Sequence, residues 1–282
     1  MIRKAEDKDV GAIVAFLRRH SETSMFLLGN LEAHGLNNTE HANGTAYFLR
    51  ETGEGITGVF GATNGGYLMC QLPGIGATEA QTYAHLLQGY TLRGMTGDVA
   101  QVDAILAALP VPGDAWHLNR AELLYARDLA GIKSKATLIR PAEDHRALLT
   151  EWFGQYAADA GLSDGCDLAL NAANAGIAIA SGRVRLLLDG GVPVAMTGIN
   201  ARAGVTVQVG GVFVVRDRRG EGLAGQIVAA HLQELRGEGV ARAILFTASA
   251  QAARAYEKIG FNQIGSYRLA LLKEPLTLGV PR

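Results

Sequence analysis

The sequence has few cysteines, almost no net charge and no long apolar stretch. Its two cysteines, Cys70 and Cys166, lie far apart and match no disulfide framework or zinc-ligand spacing. The formal net charge of −1 gives no general attraction to nucleic acid or to an anionic membrane. No apolar run approaches the roughly 20 residues that span a bilayer, and the charged start, residues 1–7, lacks the apolar core of a signal peptide. We therefore expect a cytoplasmic protein that holds no metal and binds neither nucleic acid nor membrane.

The chain is long enough for two domains, and a weak internal repeat indicates where they divide. Its 282 residues are 48% hydrophobic, which suffices for two cores of ordinary size. The run IRKAED at residues 2–7 returns as IRPAED at residues 139–144, and each copy leads into apolar residues at helical spacing. We predict a duplication, with a first domain over residues 1–130 and a second over residues 137–282.

Both halves alternate between strand and helix patterns. In the first half, strands are predicted over residues 46–49, 55–60, 67–72 and 115–128, and helices over 78–88 and 100–109. In the second half, early helices precede predicted strands over 184–188, 192–200, 206–215, 243–246 and 265–272, with helices over 222–236 and 250–259. This order predicts an α/β or α+β architecture, in which each domain is a mixed, twisted sheet flanked by helices.

A basic, glycine-rich turn joins a strand to a helix in the second half. The apolar strand that ends near Val215 is followed by the run RDRRGEGLAG, residues 216–225, where a helix begins at once. The first amides of a helix lack internal partners and carry partial positive charge, so they bind anions. Gly220, Gly222 and Gly225 leave room for a phosphate beside those amides, and three arginines add charge. The turn predicts a pyrophosphate site, and an ordinary basic turn is the alternative.

Two segments of the second half resemble the GNAT N-acetyltransferase superfamily. Arg219, Gly222 and Ala224 match the family signature Arg/Gln-x-x-Gly-x-Gly/Ala. The run lacks the lysine of a Walker loop, and no ribose-binding acid follows a second strand at the distance that the dinucleotide fingerprint requires. Residues 249–261 resemble a second family segment, Asn-x-x-Ala-x-x-x-Tyr-Glu-Lys-x-Gly-Phe, with Ser249 where asparagine is usual. The resemblance covers about residues 138–272 and implies transfer of an acyl group from acyl-CoA.

The resemblance also implies how acetyl-CoA, or another acyl-CoA, would bind. The ligand would lie where the strand ending near Val214 diverges from the strand over residues 243–246. The backbone of Val212 and Val214 would bind the pantetheine arm, and Ser249 would cap the next helix and contact the same arm. Tyr256 would protonate the leaving thiolate as general acid, with a packing role for its ring as the alternative. The residues predicted to hold the pyrophosphate are Arg219, Gly220, Glu221, Gly222, Leu223, Ala224 and Gly225.

The motifs leave the general base and the acceptor open. Glu151 and Asp159 lie on the early helices of the second half, where the family builds its acceptor wall. Each is expected to be a solvated surface charge. The strand over residues 206–215 offers only Gln208, and His231 is expected to be a partly buried structural histidine. The histidine spacings match no metal site.

The first half is predicted to lack an equivalent basic turn. Its nearest counterpart, RGMTGD at residues 93–98, has an acidic residue where the phosphate would lie and no basic cluster. We therefore expect the first domain to be a degenerate, non-catalytic GNAT-like domain, with one acyl-CoA bound per chain.

The resemblance implies an N-acyltransferase that moves an acetyl group from acetyl-CoA to a primary amine of a small molecule or amino acid, by direct attack of the amine on the thioester. Two alternatives stay open. One is a CoA-binding regulatory or scaffold protein that has lost catalysis. The other is an acetyltransferase that acts on a protein lysine or N-terminal amine. We expect the small amine as partner and a monomer or homodimer as the assembly.

Overall fold

The computed structural model describes residues 1–281 and divides into two compact units. The first comprises Met1–Leu124 and the chain from Gly265 onward, and the second comprises Tyr125–Ile264. The predicted boundaries, 1–130 and 137–282, assign the last strand to the second domain, whereas most of that strand belongs to the first unit. The reason is a strand pairing, because residues 267–277 run antiparallel to residues 91–98 of the first unit.

The chain passes twice through one order of elements: strand, two helices, three strands, helix, strand, helix, strand. The first pass comprises β1 (Ile2–Lys4), α1 (Val10–Arg19), α2 (Ser21–His34), β2 (Thr45–Thr52), β3 (Gly55–Thr63), β4 (Tyr67–Gln71), α3 (Ala77–Leu86), β5 (Thr91–Asp98), α4 (Val99–Ala108) and β6 (Trp116–Asp128). The second comprises β7 (Leu138–Ile139), α5 (Arg146–Asp159), α6 (Leu168–Ser181), β8 (Val184–Asp189), β9 (Val192–Ala203), β10 (Thr206–Val214), α7 (Leu223–Gly237), β11 (Arg242–Thr247), α8 (Ala250–Lys258) and β12 (Asn262–Thr277). The matching order supports the duplication predicted from the repeat.

Each unit contains a mixed sheet, as predicted. In the first unit the strands pair in the order β1-β2-β3-β4-β5-β12, and in the second in the order β7-β8-β9-β10-β11. Every one of these pairings is antiparallel except β4 with β5 and β10 with β11, which are parallel. A parallel pair needs a crossover connection, and α3 and α7 supply it in the two units.

The sheet of the second unit has helices on both faces. Successive residues of a strand point to opposite faces, so Leu187 packs in a cluster with Ile227 of α7, while its neighbour Leu186 packs in a cluster with Leu149 of α5. The three-layer arrangement fixes α7 on one face of β10 and α5 on the other. It thereby sets the surroundings of the turn between β10 and α7.

The sequence pattern misses strand β5 of the first unit, and it also predicts neither β1 nor α2. Residues 93–98 were expected to be the counterpart of the basic turn, but they lie in a strand that pairs with both β4 and β12. Glycines interrupt its apolar pattern. A Cβ atom at Gly94 would lie 2.6 Å from the carbonyl oxygen of Ala270, so the close approach of the neighbouring strand requires glycine there.

Candidate active site

Strands β10 and β11 are paired at one end and diverge at the other. Their parallel pairing among the described residues runs from Thr206–Arg242 to Gln208–Ile244, while β10 continues to Val214. A bulge between Gly210 and Phe213 shifts the register of β10 against β9, and bulges bend the strand that carries them. Val212 and Val214 therefore lie on the diverging part of β10, as the sequence predicts. The backbone of such a strand can pair with an extended ligand.

Helix α7 begins directly after the predicted pyrophosphate turn. Gly222 precedes its first residue, and no side chain caps this end of the helix. The amide of Gln226 donates to the carbonyl of Gly222 over 3.1 Å, which starts the helical hydrogen bonding. The amides of Leu223, Ala224 and Gly225 precede that bond and have no acceptor within the helix. This end of α7 can therefore accept an anion.

The glycines of the turn have different structural roles. Gly220 and Gly222 have φ angles of +90° and +81°, in the left-handed region that favours glycine. A Cβ atom at Gly225 would instead lie 3.2 Å from the carbonyl oxygen of Ala255 and 3.3 Å from a methyl group of Ile259, both at α8 or its end. The sequence assigned all three glycines to phosphate access. The structure gives Gly225 a helix-packing role and the other two a conformational one.

Two of the charges predicted at the turn neutralise each other. The Nη2 atom of Arg218 lies 2.7 Å from a carboxylate oxygen of Glu221 and 2.9 Å from one of Asp189. The hydrogen bond from Arg218 holds the pKa of the Glu221 carboxyl below its ordinary value. Glu221 therefore stays ionised and fixes the turn through Arg218. In this structure the Glu221 side chain stabilises the conformation of the turn.

Arg219 is likewise held by protein groups. Its Nε atom donates to the carbonyl of Val214 over 3.1 Å, and its Nη2 atom lies 2.5 Å from Oδ2 of Asp159. Asp159 is an exposed surface charge, as expected, and it also pairs with Arg219 and, over 3.4 Å, with Arg216. Sequence reasoning missed this contact because the two partners lie 60 residues apart. Glu151 is also exposed, and it accepts a hydrogen bond from Gln155, one turn along α5.

Ser249 caps helix α8, as predicted. Its hydroxyl accepts a hydrogen bond from the amide of Ala252 over 3.2 Å. Its own amide donates to the hydroxyl of Thr247 over 3.0 Å. Serine therefore performs the capping function in the place where the family motif has asparagine. The contact of Ser249 with a ligand arm stays a prediction.

Tyr256 lies on α8 with its side chain buried. Its ring packs edge-on against Phe261, with 6.2 Å between the ring centroids. Burial, with a smaller contribution from Tyr156 of α5, raises the pKa of the Tyr256 hydroxyl above its ordinary value. The phenol is therefore protonated at neutral pH, which a general acid requires. The packing role and the acid role are compatible, since the ring serves one and the hydroxyl the other.

His231 of α7 is fully buried, more deeply than the sequence indicates. Its Nδ1 atom has no hydrogen-bond partner among the described residues. Burial, helped by the nearby Arg185, lowers its pKa to about 3. The histidine is thus neutral in the folded protein and is a structural residue, as expected.

The depressed pKa of His231 predicts a loss of stability in mild acid. The unfolded chain binds a proton at this residue below pH about 6.5 while the folded chain does not. The contribution of the neutral His231 to the free energy of unfolding is therefore complete above that pH and decreases as the pH falls towards 3. Urea unfolding of the wild type and of His231→Gln at about pH 7 and about pH 4.5 tests this. Between the two pH values the wild type should lose about 2 kcal/mol more of its free energy of unfolding than His231→Gln loses. A difference that stays constant with pH would contradict the assignment.

Neither a metal-binding cluster nor a membrane-crossing helix is found among the described residues. Within residues 1–281, no group of three or more His, Cys, Asp or Glu side chains is placed to hold a metal ion. Nor does any helix in that range have the length and apolar character to cross a membrane.

The first unit has its own counterpart of the turn, at a place that sequence reasoning missed. By element order it is the segment between β4 and α3, residues 72–76. Gln71, Gly74 and Gly76 there match the same Arg/Gln-x-x-Gly-x-Gly/Ala signature. The signal was present in the sequence, but the strand β5 was mistaken for the turn.

The strands before this second turn do not diverge. The β4–β5 pairing continues to Cys70–Gly97, next to the last residue of β4. Side chains also occupy the turn, since Oε1 of Gln101 accepts from the amide of Leu72 over 2.5 Å and Arg50 donates to the carbonyl of Pro73 over 2.8 Å. The space in which a ligand arm would pair with β4 is therefore taken by β5.

Comparisons with known proteins concern the fold of the chain. The model of the Acetyltransferase (GNAT) domain matches residues 172–270. A Drosophila protein of known structure is similar over 96% of this chain and 98% of its own, at 14% identity and a TM-score of 0.62. An acetyltransferase of the GNAT family from Colwellia psychrerythraea is similar over 97% and 100%, at 13% identity and a TM-score of 0.53. A GCN5-related N-acetyltransferase from Sphaerobacter thermophilus is similar over 99% and 96%, at 17% identity and a TM-score of 0.52. At these identities the likeness is one of fold, and no curated protein matches the chain by sequence.

Proposed function

We propose, on the premise that residues 172–270 form a GNAT acetyltransferase domain, that the second unit transfers an acetyl group from acetyl-CoA to a primary amine. One observation carries the proposal. The divergence of β10 from β11 and the uncapped start of α7 lie at the two ends of a single turn. An extended arm that ends in a pyrophosphate matches this pair of features. The arm can pair with a free strand edge, and the pyrophosphate can bind the unpaired amides at the start of a helix.

The residues present fit acetyl-CoA as the donor. The amides of Leu223, Ala224 and Gly225 would hold the pyrophosphate, since no side chain competes for them. The backbone of Val212 and Val214 would bind the pantetheine arm and orient the thioester. Arg219 and Glu221 would contribute to donor binding indirectly, because their side chains fix the conformation of the turn.

The reaction needs one proton donor and one proton acceptor. The amine nitrogen attacks the thioester carbonyl, a C–N bond forms as the C–S bond breaks, and Tyr256 gives its proton to the departing sulfur. The attacking amine loses its own proton to water. The transfer leaves a Tyr256 phenolate, which burial disfavours, so a proton must return to it through water to restore the phenol before the next turnover.

The acceptor class is tested by assaying amines against one donor. We propose a primary amine of a small molecule or amino acid. Thiol release from acetyl-CoA should depend on the added amine, and mass spectrometry should identify the acetylated product. Thiol release that occurs only with lysine peptides would indicate a protein acceptor. Binding of acetyl-CoA with no release for any amine would favour a CoA-binding scaffold and contradict the enzyme.

The difference between the two turns predicts one donor site per chain. Only the turn after β10 has a diverging strand beside it among the described residues, since β4 stays paired with β5. Calorimetric titration with acetyl-CoA should therefore give one site per chain. A second site of comparable affinity would show that the paired strands of the first unit separate on binding.

A further inference from the structure

Arg219 is exposed but contacts several protein groups on the side of the sheet that faces α5. Its guanidinium contacts the Val214 carbonyl, pairs with Asp159, and lies over the ring of Phe213, 5.6 Å from the ring centroid. All three partners belong to the end of β10 or to the end of α5. The guanidinium thus joins the last residue of a helix to the last residue of the strand proposed to bind the donor.

The position of Asp159 is unfavourable without this partner. It is the last residue of α5, and the C-terminal end of a helix carries partial negative charge that disfavours a carboxylate. Pairing with Arg219 and Arg216 offsets that repulsion. The hydrogen bond to Arg219 is short and joins two charged groups, so it belongs to the stronger class of such contacts.

We propose that Asp159 is a positioning residue for acyl transfer, acting through Arg219. The pair fixes the end of β10, and with it the backbone at Val214, against the end of α5. This inference rests on the proposed function, because the Val214 backbone matters only if the donor binds there. A free arginine would add to phosphate binding, whereas this one orders the strand that presents the thioester.

The alternative role for Asp159 makes the opposite prediction. If the carboxylate merely occupied an arginine that belongs to the pyrophosphate, its removal would release that arginine and tighten donor binding. If Asp159 positions the strand through Arg219, its removal should lower turnover while the uncapped amides of α7 keep most of the donor affinity. Turnover and affinity therefore separate the two roles.

The test compares Asp159→Asn, Asp159→Glu, Arg219→Gln and the double variant Asp159→Asn/Arg219→Gln. Glutamine is the other residue that the family signature accepts at this position, but it cannot form the ion pair. We expect Asp159→Asn to lower turnover at saturating substrates about fivefold or more and to change the acetyl-CoA dissociation constant less than about threefold. Asp159→Glu should recover part of the turnover. The double variant should be no slower than Arg219→Gln alone, because both changes break the Asp159–Arg219 contact and the remaining Asp159–Arg216 pair is longer, with an exposed arginine.

A readout independent of activity keeps this inference separate from the proposed function. Hydrogen exchange of the amides in residues 212–219 should be faster in Asp159→Asn and Arg219→Gln than in the wild type, with no further increase in the double variant. Glu238→Gln, which breaks the exposed pair with Arg202, is the matched control and should leave this segment unchanged. Unchanged exchange in Asp159→Asn, additive effects in the double variant, or tighter acetyl-CoA binding would each overturn the positioning role. Absence of turnover in the wild type would instead contradict the proposed function.

Discussion

Replacing Tyr256 by phenylalanine is expected to lower turnover with acetyl-CoA and an accepted amine at least about tenfold. The substitution removes the hydroxyl and keeps the ring, so the packing against Phe261 is preserved. Acetyl-CoA affinity should change little, because the proposed donor contacts lie on β10 and α7. The measurement is steady-state thiol release at saturating donor, paired with calorimetric titration of the same variant.

Tyr125→Phe provides the control for this substitution. Its hydroxyl donates to a carboxylate oxygen of Glu257 over 2.8 Å, in the same buried cluster as Tyr256. Removing it should cost about 1 kcal/mol of stability and leave turnover within about threefold of the wild type. Equal turnover in Tyr256→Phe and the wild type would remove the general-acid role and leave only packing.

Gly222→Glu is expected to weaken acetyl-CoA binding at least about a hundredfold, a loss of about 2.7 kcal/mol. A Cβ atom at Gly222 meets no protein atom within 4 Å, so the new side chain fits the fold and extends into the space proposed for the phosphates. There its carboxylate would repel the pyrophosphate across the start of α7. Titration calorimetry with acetyl-CoA measures the change.

Gly239→Glu separates this repulsion from backbone strain. Gly239 follows the other end of α7 with a φ angle of +87°, close to the +81° of Gly222, and it too has open space at its Cβ position. Both variants should therefore lose about 1 kcal/mol of stability to the left-handed conformation. Only Gly222→Glu should lose donor affinity. A retained affinity in Gly222→Glu would place the phosphates elsewhere.

Most of the second unit can be predicted from the sequence because local patterns agree with the fold there. The strands β8 to β11 and the helices α7 and α8 agree with the predicted ranges to within a few residues. Apolar spacing and turn residues mark these elements in the sequence. In the first unit, glycines at sheet contacts conceal β5, and the mistaken turn then hides the signature at residues 71–76.

The tertiary contacts of the site could not be predicted in the same way. The signature at Arg219 indicates an anion site, but nothing local indicates that Asp159 holds this arginine or that Asp189 reaches Arg218. The unit boundary has the same cause, since the strand after Gly265 pairs with β5, far back in the chain. Local sequence patterns identify the turn, and long-range pairing determines what its side chains do.

Hydrogen exchange with and without acetyl-CoA tests the central claim, that the donor binds at the start of α7. We predict slower exchange on addition of acetyl-CoA in the peptides that cover residues 212–226 and 249–257. The peptide covering residues 71–80, which contains the counterpart turn of the first unit, should be unchanged. Protection of residues 71–80 in place of 212–226, or no protection at either turn, would contradict the account.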